Sequence, residues 1–246
     1  MLRSRIVPSL LMQDGGLLKT IRFRGGKYVG DPINAVKIFN EKEVDELCLF
    51  DIGVEGRVTE PNFNLLEKIA REAAMPLCYG GGVKSVQDAI RLVSMGFEKV
   101  SLSSAAIDDP KLIKAVASAI GSQSTVVTLD VKKRKLSKRY SIYTSNGSRK
   151  RDVDFLELLK AIESLGAGEI IVNSIDRDGT MTGYDLNLAR LVRDAIALPF
   201  TMIGGASSSE DMSDLIREVG VVGVGVGSAF VFKGPYKAVL ITYERP

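Results

Sequence analysis

The chain has 246 residues, 45% of them hydrophobic, enough to bury a full core in an α/β protein. Its 33 basic and 30 acidic residues leave a formal charge of +3, too close to balance for the overall field to mark a nucleic-acid protein. It contains no histidine, which excludes Ser-His-Asp and Cys-His mechanisms and most zinc sites. No run of about 18 apolar residues indicates a membrane span, and the N-terminus lacks a signal-peptide pattern. A cytoplasmic protein is expected, with Cys48 and Cys78 as buried, reduced thiols.

In chain order, short β-rich runs alternate with helical patterns about eight times. Strands are predicted near residues 5–11, 46–51, 76–80, 99–103, 125–130, 169–174, 199–203 and 221–226. Amphipathic segments such as "FNLLEKIAREAA" and "VQDAIRLVSMG" lie between them. Asp31-Pro32 and Asp109-Pro110 each place a capping carboxylate ahead of a proline at a helix start. Gly96 and Gly121 stand where helices should stop. Residues 131–151 carry nine Lys/Arg and no acid, a basic loop with a hairpin-like centre. It reads as a solvated surface or as an attractor for an anionic substrate. The last segment, "GPYKAVLITYERP", reads as a short final helix.

Apolar strands alternating with helices predict parallel βαβ units, and about eight units in this length is the size of a (β/α)8 TIM barrel in one domain, residues 1–246. An open doubly wound sheet is the alternative. An internal repeat favours the barrel. "CLFDIG" around Asp51 recurs as "NSIDRDG" around Asp176, and "CYGGGV" at 78–83 recurs as "MIGGAS" at 202–207. "VSLSSAA" at 100–106 recurs loosely as "VGVGSAF" at 224–230. Two similar half-barrels are therefore predicted. The same register sets "RIVPSLL" against "STVVTLD", and so Leu11 against Asp130.

In such a barrel, chemistry sits at the C-terminal ends of the strands. Gly81 and Gly82 follow strand three, with Ser103 and Ser104 after strand four; Gly204 and Gly205 follow strand seven, with Gly227 and Ser228 after strand eight. Glycine admits close approach of backbone N–H groups to an anion, and serine hydroxyls complete a phosphate cradle. The bland reading is that these glycines only make tight turns. Two symmetric cradles predict a small substrate with two phosphates across the mouth. Asp130 and the loop "SIDRDGTMTGYD", with Asp176, Asp178 and Gly179, supply the acid–base and substrate-contact candidates. Asp51 is either a member of that ring or a loop-holding acid.

These pieces, with "GDPINAVKIFNEKEVDEL", "YGGGVKS", "LDVKK" and "GAGEIIVNSIDRDGTMTGYD", resemble the cyclase subunit of imidazole glycerol phosphate synthase over essentially the whole chain. The resemblance implies a barrel that receives ammonia from a glutaminase-type amidotransferase subunit, acts on a phosphorylated small molecule, and needs neither metal nor cofactor, nucleic acid nor membrane. In that family strand one ends "CLDVKDG", and its first Asp works with the Asp ending strand five. Asp130 matches the second of these and Leu11 stands in place of the first, while Asp14 matches the family's next Asp. The resemblance also assigns Lys19 to a substrate phosphate, and Arg5, Glu46, Lys99 and Glu169 to a charged ring at the ammonia entrance. Ser103 stands where the family has Asn, and Asn173 where it has Thr. Paralogues that also lack the strand-one acid accompany surface-polysaccharide genes, which implies ammonia supply for amidating a nucleotide-linked sugar, with a sugar-modifying amidotransferase as a further partner. The alternatives are a working cyclase that forms imidazole glycerol phosphate in histidine biosynthesis and a non-catalytic ammonia-conduit or docking subunit.

Overall fold

The computed structural model describes residues 3–53, 60–134, 137 and 139–246; Lys135 and Lys138 of the basic loop lie outside them. Barrel strands are β1 (Arg5–Gln13), β2 (Leu47–Asp51), β3 (Leu77–Gly80), β4 (Lys99–Leu102), β5 (Thr125–Lys133), β6 (Glu169–Ser174), β7 (Phe200–Ile203) and β8 (Gly223–Val226). Each pairs in parallel with the next. β8 returns to pair with β1 from Arg5–Gly223 to Pro8–Val226, so the sheet closes with no barrel edge. The result is a (β/α)8 barrel.

Around it lie α1 (Pro32–Glu41), α2 (Phe63–Glu72), α3 (Val86–Ser94), α4 (Ser104–Asp108), α5 (Lys111–Ile120), α6 (Phe155–Ser164), α7 (Leu186–Ala195) and α8 (Ser209–Val219). Strand alternation sorts the side chains. Leu47 and Leu49 belong to the large core under the helices, whereas Cys48 and Phe50 belong to a small cluster with Val7, Cys78, Val126, Ile171 and Ile203. That small cluster fills the barrel interior.

Local signals act where the sequence places them. Asp31 accepts from the Asn34 N–H at 2.9 Å, ahead of Pro32. At Asp109-Pro110 the helix begins one residue later than read, yet the Asp109 carboxylate still accepts from the Lys111 N–H at 3.1 Å. Gly96 and Gly121 follow α3 and α5 with φ of +108° and +89°, the left-handed conformation in which glycine ends a helix at least cost.

Two strands run past their predicted ends. β1 continues to Gln13 and turns through Asp14 and Gly15, both at positive φ, into a hairpin of Gly16–Ile21 and Arg24–Gly30. β5 continues to Lys133 and pairs with Tyr140–Thr144, which pairs with Arg149–Lys150. Each half-barrel thus carries a hairpin on its first strand. The final segment corrects the sequence reading, because no helix forms there among the described residues. Phe232–Lys233 pairs with Ala238–Val239, and the chain then runs extended. Leu240 and Thr242 donate to the Val231 and Phe230 carbonyls at 2.9 Å. Tyr243 packs on Phe230, and Arg245 donates to Asp45 at 3.1 Å, a carboxylate oxygen that Arg3 also holds at 2.9 Å.

Candidate functional site

The N-terminal base of the barrel is closed by a ring of charge. Arg5 opens β1, Glu46 precedes β2, Lys99 opens β4 and Glu169 opens β6. The Arg5 guanidinium donates to Glu46 and, at 2.6 Å, to Glu169; Lys99 Nζ donates to Glu46 at 2.8 Å and to Glu169 at 2.7 Å. Signs alternate around the ring, so every charge has two opposite neighbours, the arrangement that compensates desolvation best. The Thr201 hydroxyl adds a 2.5 Å bond to Glu169. At Glu169 burial pushes the carboxyl up, but Lys99 and Arg5 outweigh it and hold the group below its ordinary value. At Glu46 burial prevails over the same two cations and its carboxyl sits above the ordinary value.

Above the ring is the apolar throat of Val7, Cys48, Cys78, Val126, Ile171 and Ile203. Cys48 and Cys78 face each other across β2 and β3, both buried and unpaired by any disulfide. Their donor atoms and a Glu46 oxygen lie within 4.8 Å of one another. Glu46 is already held by two cations there, so the cluster does not make a convincing metal centre. A 2.6 Å bond between the Ser101 and Thr128 hydroxyls then marks the step into polar surroundings.

A cavity of about 440 Å³ occupies the C-terminal mouth, within the range of small-molecule sites. The mouth residues expected from the sequence line it, with the exception of Asp176. Gly81 and Gly82 meet Ser103 and Ser104 on one side; Gly204 and Gly205 meet Gly227 and Ser228 on the other. Glycine is needed here. Gly81 has φ +135°, and a Cβ would come within 2.5 Å of the Asp51 carbonyl oxygen; at Gly205, φ +108°, it would overlap the Gly183 carbonyl. Gly81→Ala is expected to lower stability by about 1–2 kcal/mol. Inorganic phosphate should bind more weakly to that variant, with calorimetric unfolding and phosphate titration as the readouts. Lys19 is buried beside Gly227, its Nζ donating to the Ser9 carbonyl. Burial pushes its amine down to about 8 against the opposing pull of Asp178.

Asp130 ends the inward face of β5, opposite Asn173 on β6, whose Nδ2 donates to it at 3.2 Å. Burial pushes its carboxyl up to about 7 despite that donor, with Asp178 adding to the rise. Asp178 and Gly179 line the same cavity. The Asp178 carboxylate also fastens the first hairpin, accepting from the Thr20 hydroxyl at 2.8 Å and the Phe23 N–H at 3.1 Å. Burial outweighs these donors and lifts its carboxyl as well. Asp176 points elsewhere and accepts from the Lys133 N–H at 2.8 Å. Asp51 lines the cavity and accepts from the Gly53 N–H at 3.0 Å, a loop-holding bond. Leu11 lines the wall, while Asp14 lies exposed in the hairpin turn and supplies the cavity with no acid.

Sequence reasoning missed several walls of the cavity: Phe50 from β2, Phe23 from the first hairpin, and Ser145 and Asn146 from the second. Phe50 was legible as an alternate inward position. Phe23 had no signal, since Arg22 and Phe23 form a turn at φ +52° and +62° without the Asn or Gly such turns prefer.

The family model described as "Histidine biosynthesis protein" matches residues 5–237. A Vibrio vulnificus protein provisionally named imidazole glycerol phosphate synthase subunit hisF3 is 52% identical over 246 residues, covering 100% of this chain and 95% of that protein. A Pseudomonas aeruginosa protein with the provisional name subunit hisF2 is 46% identical over 243 residues, covering 99% and 96%. The Petrotoga mobilis imidazole glycerol phosphate synthase subunit HisF is 37% identical over 217 residues, covering 88% and 86%.

Proposed function

Because this chain belongs to the histidine biosynthesis protein family, with subunits of the HisF type as its relatives, we propose that it takes ammonia at its base from a glutaminase-type amidotransferase subunit and delivers it to the mouth. The destination we infer is amidation of a nucleotide-linked sugar for surface polysaccharide, with a sugar-modifying amidotransferase as the acceptor enzyme, in place of ring closure in histidine synthesis. The observation that carries this reading is the contrast between the two ends of the barrel. Arg5, Glu46, Lys99 and Glu169 form a fully paired ring, while the mouth has Leu11 at the position where the sequence resemblance implies an acid.

The chemistry follows from the layers. A neutral NH3 molecule crosses an apolar throat at little cost, whereas an ammonium ion would lose its hydration with no compensating partner. At the mouth Asp130 is the proton carrier, with Asp178 beside it holding the hairpin. The two glycine–serine cradles and Lys19 bind phosphate groups. Polysaccharide amidation requires no second carboxylate in this pocket, because the bond-forming step belongs to the acceptor enzyme.

A second reading, a working cyclase that forms imidazole glycerol phosphate, is favoured by one observation. Both cradles, Lys19 and Asp130 remain in the cavity. A turnover assay decides between them, with the cyclase's bisphosphate ribulosyl-formimino substrate and ammonium chloride at alkaline pH. The expected result is no turnover by the parent and its appearance in Leu11→Asp, since leucine can neither accept nor donate a proton. Turnover by the parent at the level of an ordinary cyclase overturns the sugar reading.

A further inference from the structure

We propose that Asn173 is the positioning residue for Asp130: its side-chain amide offers NH2 to the ionised carboxylate and, turned over, C=O to the protonated acid. This rests on the reading of Asp130 as the proton carrier of the mouth.

Three observations lead there. Asp130 and Asn173 are register partners on adjacent parallel strands, so the ladder itself fixes the two side chains side by side. Asn173 Nδ2 donates to Asp130 Oδ1 at 3.2 Å. Asn173 Oδ1, however, is buried and accepts no hydrogen bond from the described residues, an arrangement that costs free energy. Turning the amide by half a revolution exchanges N and O with almost no change of shape. Once Asp130 gains a proton, its O–H then donates to Oδ1 and the orphaned acceptor is satisfied. The amide thereby serves both protonation states.

Leu11 lines the wall of the same cavity, and Asp178 Oδ2 is engaged by Thr20 and Phe23. The groups around Asp130 are few: Asp178 acts on its charge from the loop after β6, Lys19 lies beside Asp178, Tyr143 is its ladder partner on the second hairpin, and the Ser101–Thr128 hydroxyl pair lies below.

The test is an NMR titration of the intact protein labelled with ¹³C and ¹⁵N, following the Asp130 carboxyl carbon and the Asn173 side-chain amide. Both are expected to titrate with one shared midpoint. Asn173→Leu removes the donor that favours the charged form and should raise that midpoint by about one unit. Asn173→Ser, which retains a hydroxyl and is smaller, should move it less. Asn173 signals that stay flat while Asp130 titrates, or a midpoint unmoved in both variants, overturn the inference alone. An Asp130 carboxyl that stays ionised down to its ordinary range overturns the proton-carrier reading as well.

Discussion

Asp130→Asn is expected to make the protein more stable above neutral pH while removing its acid–base group. The folded-state value for Asp130 is about 7 against an ordinary 3.8, so the folded protein holds this proton more tightly than the unfolded chain. The stabilisation from that proton is fully present below the ordinary value and is lost as pH rises through about 7. A shift of roughly three units corresponds to about 4 kcal/mol. Asp130 opens onto the cavity, and water there screens part of the penalty, so we expect about 2 kcal/mol. At pH 8 the variant should melt roughly 5 °C above the parent, and the gap should close only once the pH falls below the ordinary value, to about pH 3.5. Melting curves at the two pH values are the check. Equal advantages at both would mean that the carboxylate is not strained by burial.

Glu169→Ala should be the most damaging single change at the base. Glu169 accepts from Arg5, Lys99 and Thr201, and its loss leaves two cations to share Glu46. Breaking a buried ion pair from one side costs about 3–5 kcal/mol, which is roughly 10 °C in melting temperature for a chain of this size. Because the depressed Glu169 value favours the charged form, its contribution holds above the ordinary glutamate range and fades as pH falls through the depressed value. Acid should therefore narrow the difference between parent and variant. In the proposed assembly, glutamine-dependent transfer should fall further than transfer from added ammonium salt, because a breached base leaks ammonia before it reaches the mouth. A variant as stable as the parent, with the two nitrogen sources affected alike, would remove the ring from both roles.

The barrel was legible because its signals are local and repeated. Apolar runs ending in Gly or Asp recur across the two halves, and capping residues such as Asp31 sit at the helix starts. Glycines at Gly81 and Gly205 were legible for the same reason, since the backbone there excludes a side chain. Less was legible where long-range contacts decide. Phe23 holds a left-handed backbone because Asp178 bonds its N–H, and nothing near residue 23 announces that. The final helix was misread because "YKAVLITY" has helical composition. Its β-branched residues instead lay a strand-like tail against Phe230 and Val231. The pairing of Asp130 with Asn173 depends on barrel closure between β5 and β6 and could not be read from either strand alone.

The Asp45 carboxylate that binds both Arg3 and Arg245 has a practical consequence. The two extremities of the described chain meet at one residue beside the base, next to the proposed glutaminase face. An affinity tag or fluorescent fusion at either extremity would crowd that face and mimic a defective partner contact. A short peptide bridging residues 3 and 245, with new ends opened in the turn at Ser145–Gly147, would move such labels to the opposite rim. A circularly permuted chain of this kind would leave the base free for measuring assembly.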